Sequence, residues 1–149
     1  DTDKEMTILD YQLQIGKERN QFIKKILKAF DAKNTQESNK YTDISSSLQI
    51  INSHNTGEKV ISVYFFSDMI ESTASGRDFH SNPPKTIEEA TKWAEEDVEK
   101  MQDINLNGVT IKSILPFDPL SSIKVNNPVI SAYWKIVFES LGATSFEEV

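Results

Sequence analysis

The chain has 149 residues, a net charge of −7, 38% hydrophobic and 26% charged residues, and no cysteine. This is the length of one domain and the composition of an ordinary globular fold, so a disordered chain is a poor reading. No apolar run approaches the roughly 20 residues of a membrane span, no basic stripe with interleaved aromatics suits nucleic acid, and disulfides, thiol catalysis and thiolate zinc sites are ruled out.

Leu9, Tyr11, Leu13 and Ile15 alternate with polar residues, which predicts a half-exposed strand over Leu9–Ile15. Phe22, Ile23, Ile26, Leu27 and Phe30 then fall at helical spacing opposite Lys24, Lys25 and Lys28, predicting an amphipathic helix from Lys17 to Ala32. The polar stretch 33–40 reads as a loop. Thr42 or Asp43 can cap a second helix, with Ile44, Leu48 and Ile51 along one stripe. Val60–Phe66 is an almost unbroken apolar run, the pattern of a strand covered on both faces in mid-sheet.

Asn82-Pro83-Pro84 breaks the chain ahead of Thr86 and Glu89, a T-x-x-E capping box for a helix carrying Ala90, Trp93, Ala94, Val98 and Met101. Asn107-Gly108 signals a turn into a second apolar strand, Val109–Leu115, stopped by Pro116. Asn127 and Pro128 open a last helix that turns Val129, Ala132, Tyr133, Ile136 and Val137 inward and ends at Gly142. Trp93 and Trp134 read as core anchors, and Glu88, Glu89, Glu95, Glu96 and Glu99 as a solvated face. The fold class is α/β: one Rossmann-like, mainly parallel sheet with helices on both sides, residues 1–149 forming a single domain. Four helices compete for about three strands, so the chain is expected to be the later part of a larger domain. Its sheet would be completed by an upstream segment or by self-association.

In open parallel sheets ligands bind at the carboxyl ends of the strands. Val60–Phe66 leads there into Ser67, Asp68, Glu71, Ser72 and Thr73, and the second strand leads to Asp118. These are hard oxygen donors suited to cations such as Mg²⁺ and Ca²⁺ rather than to softer metals. The plain structural alternative is that Ser67 and Asp68 satisfy the backbone donors of a turn. His54 and His80 sit in polar surroundings without metal-ligand spacing, and 72–77 lacks the spacing and lysine of a phosphate loop.

The run Val60–Phe66 followed by Ser67-Asp68-Met69-Ile70-Glu71-Ser72, together with Tyr133-Trp134, Phe138 and Gly142-Ala143, resembles bacterial von Willebrand factor type A domains that read S-D-M where others read T-D-G. The resemblance implies a metal-ion-dependent adhesion site in which Thr42 and Asp68 are metal ligands for Mg²⁺ or Mn²⁺. A protein partner would then meet Ser67, Glu71 and Asp118. A literal D-x-S-x-S occurs at Asp43–Ser47, but it follows a polar run rather than a buried strand, and Ile44 is in register with Leu48 and Ile51. These serines therefore read as first-turn helix residues. The first strand and its ligand loop are missing, and metal binding is expected to be weak. The expected function is a non-enzymatic protein-interaction module acting through strand-end loops. The alternatives are a metal-assisted hydrolase using Asp68 and Asp118, or a degenerate structural domain.

Overall fold

In the computed structural model, which describes residues 8–33, 42–73, 76–114 and 128–149, the chain divides into two compact units, residues 1–40 and 41–149. Within the first, α1 runs without a break over Ile8–Lys33. The strand predicted at Leu9–Ile15 is not formed; those residues are the opening turns of α1. Leu9 with Leu13 and Tyr11 with Ile15 are also i,i+4 pairs, but the two pairs lie on opposite sides of the helix, so the alternation makes no single apolar helix face. A strand needs a neighbour for its backbone groups, whereas a helix pairs them internally. Gly16 costs the helix only about 1 kcal/mol, and across it Gln14 Nε2 donates to Glu18 Oε1 at 3.0 Å. Tyr11, Leu13, Phe22, Ile23 and Leu27 are all exposed. Among the described residues no helix is long and apolar enough to cross a membrane.

The second unit is α/β. It comprises α2 (Ile44–His54), β1 (Ile61–Phe66), α3 (Ile87–Val98), β2 (Val109–Ile114), α4 (Pro128–Ser140) and β3 (Ser145–Glu148). The strands form one parallel sheet in the order β1-β2-β3, with Ile61 beside Val109, Ile111 between Val63 and Phe146, and Ser113 between Phe65 and Glu148. Sequential parallel order with right-handed crossovers puts consecutive helices on one side. Accordingly α3 and α4 share a single core with Ile61, Val63, Phe65, Val109, Ile111 and Phe146, and Ile44 and Leu48 of α2 belong to the same core.

Two expectations change here. Among the described strands the middle one is β2, and β1 lies at the edge with Ser62, Tyr64 and Phe66 exposed. An almost unbroken apolar run, with Ser62 its one polar residue, carries too little alternation from which to read which face is covered. Likewise the helices of this unit lie on one face rather than two. β3, which the sequence reading omits, is a four-residue strand. It follows directly from the end of α4, where Gly142 takes a φ of +100° and Gly142 N and Ala143 N donate to Glu139 O and Phe138 O.

Local signals that were legible form as expected. Asp43, rather than Thr42, caps α2 by accepting from Ser46 N at 2.8 Å. Thr86 caps α3 by accepting from Glu89 N, and Glu89 accepts from Lys85 N at 2.7 Å. The predicted cap of α4, Asn127, lies outside the described residues. At the far end of α2 an uncharged clasp holds the turn leading to β2. Asn52 donates to Asp103 O and accepts from Asn105 N, while Asn55 Nδ2 donates to both Asn105 O and Asn107 O.

Candidate functional site at the end of the first strand

β1 does not end in an open loop. Ser67 N donates to Ile114 O, and Ser113 Oγ donates to Ser67 O, each at 3.1 Å, so the chain stays beside β2 for one residue beyond the strand. It then turns sharply. Met69 N donates to Ser67 Oγ at 3.0 Å and Ile70 N to Asp68 Oδ1 at 3.2 Å, the side chains taking up backbone donors in the turn. Met69 occupies left-handed backbone with φ +61°, and its side chain, like those of Ile70 and Phe79, is buried. The carbonyl of Met69 accepts from Trp134 Nε1 at 2.7 Å.

The segment after β1 is therefore a piece of the core. Reading it as a row of oxygen donors overlooks Met69, Ile70 and Phe79, whose apolar character is the signal that it packs inward. Phe79 is the hub, meeting Tyr133 edge-on at 5.0 Å and stacking beside Trp93 at 6.5 Å.

Thr42 and Ser72 exchange both backbone hydrogen bonds, Thr42 N to Ser72 O at 3.0 Å and Ser72 N to Thr42 O at 2.8 Å. This two-residue antiparallel bridge ties the start of α2 to the segment after Asp68. Next to it, Glu71 is only 3% exposed, and its Oε2 accepts from Ile44 N at 2.8 Å and Ser45 N at 3.3 Å. Burial raises the Glu71 pKa above its usual 4.5, opposed by the Ser45 side chain and the two amides and reinforced by Asp43. Glu71, assigned to partner contact from sequence, is thus turned inward as a second cap on α2. Asp68 is half-buried, Ser67 likewise, and Thr42 is exposed. Asp118 lies outside the described residues.

The literal D-x-S-x-S segment is helical, as its register predicts. Asp43 Oδ2 accepts from Ser46 Oγ at 2.5 Å, and Ser47 Oγ donates to Ile44 O in the same turn. His54 closes α2 with its Nδ1 2.8 Å from Ile50 O, and His80 lies exposed in a turn.

Beyond Glu71 a cleft of about 350 Å³ opens, lined by Asp43, Ser45, Glu71, Arg77, Asp97 and Tyr133 among others. Its far wall is a charged network unanticipated from sequence. Arg77 Nε donates to Asp97 Oδ2 at 2.7 Å, and its Nη2 donates to Glu96 Oε2 at 3.0 Å and to Trp93 O at 3.3 Å. The guanidinium lies 4.6 Å from the Trp93 ring centroid. Tyr133 Oη donates to Asp97 Oδ2 at 2.9 Å and Lys100 Nζ to Asp97 Oδ1 at 2.9 Å. Burial pushes the Asp97 carboxyl up, but the hydrogen bonds from Arg77, Lys100 and Tyr133 outweigh it and hold the pKa below 3.8. Burial, with Asp97 alongside, pushes the Tyr133 hydroxyl far above its usual 10, so it remains a proton donor.

No family model, curated protein or solved structure matches the chain.

The donor set for a metal is small. Thr42 and Asp68 bring one hydroxyl and one carboxylate, and Asp68 Oδ1 already accepts from Ile70 N. Among the described residues no group of three or more His, Asp or Glu side chains could hold an ion. Mg²⁺ requires near-octahedral oxygen coordination and gives up water reluctantly, so these residues do not by themselves make a complete site.

Proposed function

We propose that the chain is a non-enzymatic protein-interaction module of the von Willebrand factor type A kind, engaging a protein partner through the loops at the end of β1. The observation that carries this reading is the Thr42–Ser72 bridge, which joins the two segments that bear the resemblance to a metal-dependent adhesion site. Asp68 is the anchor for charge at the surface of that turn, while Glu71 and the buried Met69 and Ile70 hold it in shape. Mg²⁺ or Mn²⁺ would be bound weakly by Thr42 and Asp68, its coordination completed by water and by a carboxylate from the partner.

The test uses Mn²⁺ as a paramagnetic probe, followed by NMR on the intact chain. Broadening centred on Thr42 and Asp68, half-complete only at high micromolar to millimolar Mn²⁺ and abolished by Asp68→Asn, is expected. Tightening on addition of acetate would support completion by a partner carboxylate. Mn²⁺ broadening elsewhere, or none, overturns the metal-assisted reading. Hydrolysis of phosphate or ester substrates that disappears in Asp68→Asn replaces the interaction module with an enzyme.

A further inference from the structure

The turn after Asp68 contains one peptide group that is grasped at both edges. The peptide linking Met69 to Ile70 is a rigid plane with the Met69 carbonyl on one edge and the Ile70 N–H on the other. The carbonyl accepts from Trp134 Nε1 at 2.7 Å, and the N–H donates to Asp68 Oδ1 at 3.2 Å. Rotation of this plane breaks both bonds together. We infer that Trp134, a residue of α4, is a positioning residue for the strand-end turn, fixing through the Met69–Ile70 peptide the direction in which Asp68 presents its carboxylate. This deepens the interaction-module reading and rests on it for its functional meaning, but the coupling itself is a matter of geometry.

Two features make the indole more than packing. Met69 holds φ +61°, a conformation unfavourable for a side-chain-bearing residue that persists only when its surroundings impose it. The Met69 side chain is fully buried, so the turn cannot relax by swinging it into solvent. Trp134 is itself immobilised, edge-on to Tyr133 at 5.0 Å and stacked with Phe138 at 5.3 Å, and is fully buried. A buried indole N–H left without an acceptor is costly, so donor and carbonyl hold each other in place. The indole of α4 and the peptide plane beside Asp68 are thereby held in one fixed arrangement.

The experiment is amide hydrogen exchange by NMR on the intact chain, comparing Trp134→Phe with Phe138→Leu. Trp134→Phe keeps a buried ring but removes the donor; Phe138→Leu disturbs the same aromatic cluster but keeps it. Exchange at Ile70 in Trp134→Phe should rise about tenfold beyond any change at Ile111 in β2, as expected for loss of one buried hydrogen bond, and should follow Ile111 in Phe138→Leu. Equal responses of Ile70 in the two variants, or Ile70 tracking Ile111 in both, overturn the inference. The reciprocal measurement holds even if a core variant fails to fold: Asp68→Ala should accelerate exchange of the Trp134 indole N–H several-fold, and no change there also overturns it. If Mn²⁺ leaves Asp68 of the unmodified chain unperturbed, the functional reading fails while the exchange result still decides the coupling.

Discussion

Arg77 Nε and Asp97 Oδ2 lie 2.7 Å apart, and this contact closes the segment after β1 against the last turn of α3. Both groups are largely withdrawn from water, and the same oxygen accepts from Tyr133. Removing Asp97 leaves the buried Tyr133 hydroxyl and Arg77 Nε without this acceptor in a site of lowered polarity, although Arg77 keeps Glu96, and that is the costly way to break such a network. Asp97→Ala should lower unfolding stability by about 2–3 kcal/mol in urea titrations, a figure kept modest because Arg77 retains some solvent. Lys92→Ala, which removes an exposed pair at 4.0 Å with Glu96, should shift it by less than about 0.5 kcal/mol.

Asp97 and Glu71 give stability opposite dependences on pH. The folded Asp97 pKa lies below 3.8, so its contribution is complete above that value and is lost as pH falls through the lowered one. The folded Glu71 pKa lies above 4.5, so the native state binds the extra proton; stability falls as pH rises from 4.5 through the raised value. Glu71→Gln keeps an acceptor oxygen for Ile44 N but cannot ionise. Thermal unfolding followed from pH 4.5 upward should therefore lose that downward slope in Glu71→Gln and retain it in the unmodified chain.

Asp68→Asn should leave the fold intact, with stability changing by less than about 1 kcal/mol, because the amide oxygen can still accept from Ile70 N. Capture of Mn²⁺ should nevertheless fall. A loss of several kcal/mol would instead make Asp68 a structural cap and nothing more.

Gly16→Ala tests the continuity of α1 through its first turns. Gly16 is helical, and a methyl group there meets nothing within 4 Å, so alanine should strengthen α1 by about 0.5–1 kcal/mol. Circular dichroism should show an equal or higher helix signal and greater resistance to heating. A decrease would speak for the extended conformation that the Leu9–Ile15 alternation suggests.

What was legible in the sequence is what depends on neighbouring residues. The T-x-x-E cap at Thr86, the Gly142 stop and the helical stripe of Ile44, Leu48 and Ile51 each rest on contacts within a few positions, and each forms. Whether β1 is central or at the edge depends on residues far along the chain, and an apolar run such as Val60–Phe66 is the same in either place. The Leu9–Ile15 expectation fails for a different reason: alternation describes side chains only, whereas a strand also needs a neighbour for its backbone groups and a helix pairs them internally. At the candidate site, Asp68 and Thr42 could be singled out by residue type. The inward turn of Glu71 and the Arg77–Asp97–Tyr133 network could not, because their partners lie 20 to 36 positions away.

The asparagine clasp between α2 and the turn before β2 contains no group that titrates in the range where carboxylates do. The fastening of the segment after β1 to α3, by contrast, is ionic. Acidification therefore acts on one fastening and spares the other. The unit should open in a fixed order as pH falls, the Arg77 segment loosening first while α2 remains moored to the base of the sheet.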